Sequence, residues 1–218
     1  MTTKNLCLQH VLRASSLTDK KAPTIIMLHG YGSDENDLFS FSAALDPKYL
    51  IVSARAPIPM QPYGNAWYAI TYEPGNKKFT NDEQAVSSRD TIAQFVDEVV
   101  ENYHADPEQI ILMGFSQGAI LSYSVALSYP EKISAIVAMS GYIHHALLKE
   151  NFEKNDFSNL KVYSSHGSID EVVPVEWDRQ TKPFLENLNI EVKYSEFPVG
   201  HGVSPENFRE IQQWLAKL

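Results

Sequence analysis

The sequence predicts an α/β fold: a mostly parallel sheet with helices on both faces, forming one domain over residues 1–218. Three observations predict it. Short β-branched apolar runs recur along the chain, amphipathic helical segments separate them, and several runs are apolar at consecutive positions, as strands buried on both faces must be. There is no internal repeat, low-complexity tract or Gly/Ser-rich linker to divide the chain.

Taken in order, residues 6–12 (LCLQHVL) read as an edge strand leading into a polar loop at 15–22. Strands follow at 24–28 (TIIML), 49–53 (YLIVS), 109–113 (QIILM), 133–138 (ISAIVA), 160–164 (LKVYS) and 190–194 (IEVKY). Asp34, Glu35 and Asp37 read as the acidic first turn of a helix, where carboxylates complement the dipole. Ile92, Phe95, Val96, Val99, Val100 and Tyr103 fall at offsets 0, 3, 4, 7, 8 and 11, a single helical stripe. A second helix is expected over 119–129. In the last segment Ser204 caps a helix with Pro205 at its first position and Phe208, Ile211, Trp214, Leu215 and Leu218 on the buried face. The stretch 56–81 breaks the rhythm with prolines, glycines and the aromatics Tyr63, Trp67, Tyr68, Tyr72 and Phe79. A connection that long reads as a lid or binding loop, so Trp67, Tyr68 and Tyr72 are the expected substrate-binding residues of a loop at 57–80.

Composition excludes several classes of function. Eighteen Lys and Arg against 27 Asp and Glu leave a net charge of −9, a field that repels phosphate backbones and anionic lipid. No nucleic-acid partner is expected. No window holds the roughly 18 consecutive apolar residues of a membrane span, and MTTKNLCLQHVL lacks the apolar core of a secretory signal. The single cysteine, Cys7, is expected to be a small buried core thiol and suits a reducing compartment. A cytoplasmic location is the expectation.

The chemistry is concentrated in Gly114-Phe115-Ser116-Gln117-Gly118, a GxSxG pattern where a strand passes into a helix. The glycines permit a tight turn that lifts the Ser116 hydroxyl above the strand's carboxyl end. A serine hydroxyl becomes a useful nucleophile only beside a base, and the base needs an acid to hold its tautomer. Asp170, after the strand at 160–164, and His201, between Gly200 and Gly202, stand at two further strand ends, 54 residues after Ser116 and 31 after Asp170. The order Ser, Asp, His is that of the α/β-hydrolases. Glu171 is a rival acid and His166 a rival base. For the oxyanion, the N–H groups of Gln117 and of Tyr31, in Leu28-His29-Gly30-Tyr31-Gly32, are the candidate donors, with His29 supporting the loop. This chemistry calls for no metal and no cofactor.

With these residues the chain resembles the phospholipase/carboxylesterase family, the α/β-hydrolase group that includes bacterial carboxylesterases and acyl-protein thioesterases. The resemblance rests on Leu28-His29-Gly30-Tyr31-Gly32-Ser33-Asp34, Arg55-Ala56-Pro57, the Gly114–Gly118 motif, His166-Gly167-Ser168-Ile169-Asp170-Glu171-Val172-Val173-Pro174 and Gly200-His201-Gly202. It implies a triad of Ser116, Asp170 and His201, an oxyanion hole at Tyr31 and Gln117, and a loop at 57–80 that sets acyl specificity. It also implies a small-molecule ester or thioester substrate and admits a homodimer. Where family members commonly carry Trp-Phe-Asp, this chain has Trp67-Tyr68-Ala69, which favours a general esterase for short to medium acyl chains over an acyl-protein thioesterase or lysophospholipase. A non-catalytic small-molecule receptor on the same fold is the alternative outside enzymes.

Overall fold

The structure is a computed structural model that describes residues 2–73 and 77–218, without the side chains of 72–79. Its strands are β1 (His10–Arg13), β2 (Ala22–Leu28), β3 (Leu50–Ala54), β4 (Ile58–Pro59), β5 (Asn65–Ala66), β6 (Ile70–Glu73), β7 (Lys77–Thr80), β8 (Ala105–Phe115), β9 (Ala135–Met139), β10 (Lys161–Gly167) and β11 (Glu191–Phe197). The α-helices are α1 (Asp82–Asn102), α2 (Gln117–Ser128), α3 (Val175–Asp178), α4 (Thr181–Asn187) and α5 (Pro205–Leu215). A seven-stranded sheet runs β1-β3-β2-β8-β9-β10-β11, parallel throughout except for the antiparallel edge pair β1–β3.

Alternation along the strands builds two cores. Ile26, Leu28, Leu112, Ile136 and Val162 face one cluster with α1 and α2, while Ile25, Met27, Ile111, Met113 and Val137 face another with α5. This is the helix-sheet-helix sandwich that continuous apolar strands require. Helix α2 is buried along its whole length, lying between the sheet and α1. Asn81 caps α1 by accepting from the Gln84 N–H at 3.0 Å, and Ser204 caps α5 by accepting from Asn207 N–H at 3.1 Å.

Four local expectations are corrected. The edge strand begins at His10, because the Cys7 N–H donates to Glu98 Oε2 of α1 at 2.6 Å and so leaves the ladder. Cys7 is accordingly exposed, while its neighbour Leu8 is buried. Partial desolvation, then the Glu98 carboxylate, pushes its thiol up to about 12. Asp34, Glu35 and Asp37 precede the 3-10 segment Leu38–Ala44 and form no first helical turn. Asp34 accepts from Asn36 N–H and Asp37 from the Ser33 hydroxyl, both at 2.8 Å, while Glu35 turns to Arg55. Leu218, past the end of α5, is 40% exposed instead of lying on its buried face.

Arg55 grips Glu35 with two N–H groups, Nε at 2.5 Å and Nη2 alongside, tying β3 to the loop after β2. The guanidinium hydrogen bond holds the Glu35 carboxyl below its ordinary value. A depressed carboxyl stabilises the fold above its unfolded pKa and loses that contribution as pH falls through the folded value. Glu35→Gln should therefore cost about 1 kcal/mol near neutrality, a figure reduced by the exposed Arg55 end. Denaturant titrations across pH should show the gap between wild type and variant closing as pH drops below 4.5.

Candidate active site

Four loops meet above the carboxyl ends of β2, β8, β10 and β11. At the end of β8 the chain turns through Ser116, whose φ of 54° and ψ of −116° are a strained conformation for a residue with a side chain. The turn is closed by glycine: a Cβ on Gly114 would lie 2.3 Å from the Gly118 carbonyl oxygen. Ser116 N–H donates to the Met139 carbonyl at 2.9 Å, fastening the elbow to β9.

The loops after β10 and β11 are zipped together. Ser168 N–H donates to the Phe197 carbonyl at 2.7 Å and Ile169 N–H to that of Val199 at 3.2 Å. A Cβ on Gly167 would stand 2.2 Å from the Gly200 oxygen, so only glycine permits this approach. It carries Asp170 to His201. His201 Nδ1–H donates to Asp170 Oδ2 at 2.7 Å, and the Ser116 hydroxyl donates to His201 Nε2 at 3.0 Å. The carboxylate can only accept, which places the ring proton on Nδ1 and leaves Nε2 free to take the serine proton. Asp170 Oδ1 accepts from the N–H groups of Val172 and Val173 at 2.8 and 2.9 Å. Burial alone would raise this carboxyl, but the Val173 amide, His201 and the Val172 amide outweigh it and hold it below its ordinary value. Glu171 is exposed, and His166 is turned into the interior.

Tyr31 lies in the loop after β2, and Gln117 is the first residue of α2, where N–H groups have no acceptor inside the helix. His29 braces that loop from below: Nδ1–H donates to the Gly30 carbonyl at 2.7 Å, and Nε2 accepts from Ala56 N–H at 3.0 Å. Burial holds its ring below the ordinary histidine value, so it stays neutral with one fixed tautomer.

The loop at 57–80 is less open than its aromatics suggested. Trp67 and Tyr68, expected against substrate, are 0% and 1% exposed and offer it no surface. They are anchors. Trp67 Nε1–H donates to the His29 carbonyl at 2.9 Å, Trp67 N–H to Gln117 Oε1 at 3.1 Å, and Gln117 Nε2–H to the Tyr68 carbonyl at 2.8 Å. The side chain of Tyr72 lies outside the described residues. Trp177 of α3 meets Tyr142 edge to face with ring centroids 5.0 Å apart, and Tyr31 after β2, Tyr63 in the 57–80 loop, and Ile169 and Val172 after β10 are exposed, as is Trp177. A cavity of about 740 Å³ opens at the opposite end of the sheet, among Pro23, Tyr49, Gln109, Ile133 and Lys161. It contains no histidine and lies away from Ser116.

Among the described residues, no helix is long and apolar enough to cross a membrane. Nor do three or more His, Cys, Asp or Glu side chains among them converge on a point that would hold a metal ion.

Residues 11–218 match the Phospholipase/Carboxylesterase family. The chain is 29% identical to acyl-protein thioesterase 1 of Saccharomyces cerevisiae, over 94% of this chain and 97% of that one. It is 27% identical to a probable SOBER1-like carboxylesterase of Arabidopsis thaliana, over 90% of this chain and 79% of that one. In structure it resembles the Bacillus cereus carboxylesterase with a TM-score of 0.83 and 20% identity, over 96% of this chain and 94% of that one, a likeness of fold alone.

Proposed function

This chain belongs to the phospholipase/carboxylesterase family and is a hydrolase of ester or thioester substrates, and on that premise we propose that it is a carboxylesterase working through an acyl-enzyme on Ser116. The observation that carries this reading is the line of hydrogen bonds from Ser116 through His201 to Asp170. As Ser116 Oγ attacks the carbonyl carbon, His201 Nε2 takes the hydroxyl proton, and Asp170 stabilises the resulting imidazolium. The tetrahedral oxyanion is held by the Tyr31 and Gln117 amides, at about 3 kcal/mol per donor. His201 then returns the proton to the departing alcohol or thiol. Water, deprotonated by the same nitrogen, attacks the acyl-serine and frees the acid and Ser116. The exposed side chains of Ile169 and Val172, which flank Asp170 in the loop after β10, suit the acyl portion of the substrate. The one cysteine, held as a protonated thiol, suits a reducing compartment and supports a cytoplasmic location.

A p-nitrophenyl ester series of graded acyl length tests the reading. Turnover should peak at short to medium chains, and Ser116→Ala should lose about 10⁶ in kcat and resist fluorophosphonate labelling. Labelling of Ser116→Ala equal to wild type removes the nucleophile. The named Saccharomyces relative favours a second reading, acyl-protein thioesterase, which faster cleavage of a thioester than of the oxygen ester with the same acyl chain would support. No hydrolysis at any chain length would leave a receptor.

A further inference from the structure

Behind Asp170 lies a second imidazole that the reaction does not itself use. His166, next to last in β10, has no exposed side-chain surface. Its Nε2 stands 2.8 Å from the Val173 carbonyl and 3.3 Å from Asp170 Oδ2, and its Nδ1 stands 3.2 Å from Asp178 Oδ2. Carbonyl and carboxylate oxygens only accept, so both ring nitrogens meet acceptors. Asp178, in α3, is itself fully buried and receives the Ser164 hydroxyl at 3.2 Å. Val173 links the two layers, because its carbonyl takes His166 Nε2–H while its N–H holds Asp170 Oδ1.

Resting on the serine-hydrolase reading above, we propose that His166 and Asp178 are positioning residues: a buried imidazolium–carboxylate pair that holds Asp170 in register with His201 and tempers its charge. The relay thereby runs Asp178, His166, Asp170, His201, Ser116. Asp170 Oδ2 is shared between His201 at 2.7 Å and His166 at 3.3 Å, so the orienting carboxylate is fixed from behind as well as in front. The groups facing His166 come from every neighbouring element. Asp178 stands on α3, Asp170 in the following turn, and Glu196 opposite it in the β11 register. Glu196 is held by Arg179 with two bonds of 2.8 Å and by the Tyr194 hydroxyl at 3.0 Å, and Tyr123 of α2 lies buried near Asp178. Burial alone would lower the ring's pKa, but the Asp178 hydrogen bond, the Val173 carbonyl and the two carboxylate charges reverse that and raise it. Burial pushes the Asp178 carboxyl up as well; with the ring and the Ser164 hydroxyl both donating to it, the pair's proton sits on the imidazole.

Asp178→Asn keeps the shape and removes the charge that holds the ring protonated. With the positive charge beside Asp170 gone, the acid limb of the kcat/KM profile should move to higher pH. Loosened positioning should lower kcat about tenfold with KM changed less than about twofold. His166→Gln should do the same, and the double variant should be little worse than the poorer single one, as members of one network behave. The wild-type kcat, or a lowered kcat with the acid limb unmoved, overturns the proposal. If Asp178→Asn fails to fold, Ser164→Ala, which removes only the hydroxyl on Asp178, should shift the limb in the same direction by less, and an unmoved limb there counts against the pair equally. Ser116→Ala in the same assay keeps the two questions apart. Hydrolysis surviving in it overturns the serine mechanism, whereas a silent Ser116→Ala beside a wild-type-like Asp178→Asn overturns only the positioning role.

Discussion

Asp170→Asn should fold, take up substrate with little change in KM, and lose about 10⁴ in kcat. The reason lies in how the two carboxylate oxygens are used. Oδ1 receives the amides of Val172 and Val173, so an asparagine must place its own oxygen there to keep those bonds. Its NH2 then occupies the position of Oδ2 and points a hydrogen at His201 Nδ1. That nitrogen must now accept, which moves the ring proton to Nε2, the atom that receives the Ser116 proton in the mechanism proposed above. The same NH2 also confronts the donor Nε2–H of His166, 3.3 Å away in the wild type. Steady-state kinetics with fluorophosphonate labelling check the outcome: a near wild-type rate would transfer the acid's role to another carboxylate, Glu171 first.

Gly118→Ala should act on stability. Glycine here lets α2 press against the end of β2, and an added Cβ would stand 1.9 Å from the Leu28 carbonyl oxygen and 2.5 Å from its carbon. Those are backbone atoms inside the parallel ladder, where Leu28 pairs with both Gly114 and Ala54, so no side-chain rotation relieves the overlap. The expected cost is about 3 kcal/mol or more, read as a lowered thermal midpoint. Because β2 leads into the loop of Tyr31 and α2 begins at Gln117, the residual folded protein should also turn over more slowly. An unchanged midpoint would mean that the helix can slide away from the strand at no cost.

The parts of this molecule that sequence revealed are those whose physics is local. Runs such as IIML and IILM sort their side chains onto alternate faces, and both faces proved to be covered. The Ser116 turn was legible because glycines on both sides of a serine, between strand and helix, have few other uses. Asp170 and His201 followed from standing just beyond strand ends. Partnerships across the fold were not legible. Nothing in the order of residues tells that Glu98 will draw the Cys7 amide out of the edge strand, or that Glu35 will turn to Arg55. Trp67 and Tyr68 look like lining residues in a proline-rich loop, and only the Gln117 side chain, bonding to both their backbones, shows them to be pins. Asp178 reads as an ordinary acid in a short helix until His166 is seen against it.

The sheet order also has a consequence for assembly. Serine and histidine follow the ends of β8 and β11, with β9 and β10 lying between those strands, and 85 positions of chain separate the two side chains. Such contacts form only when distant segments have come together, late in any ordering process that begins with nearby contacts. Ester turnover is therefore a gauge of completed assembly: in a refolding time course it should emerge after helical circular dichroism has recovered, with the arrival of β11.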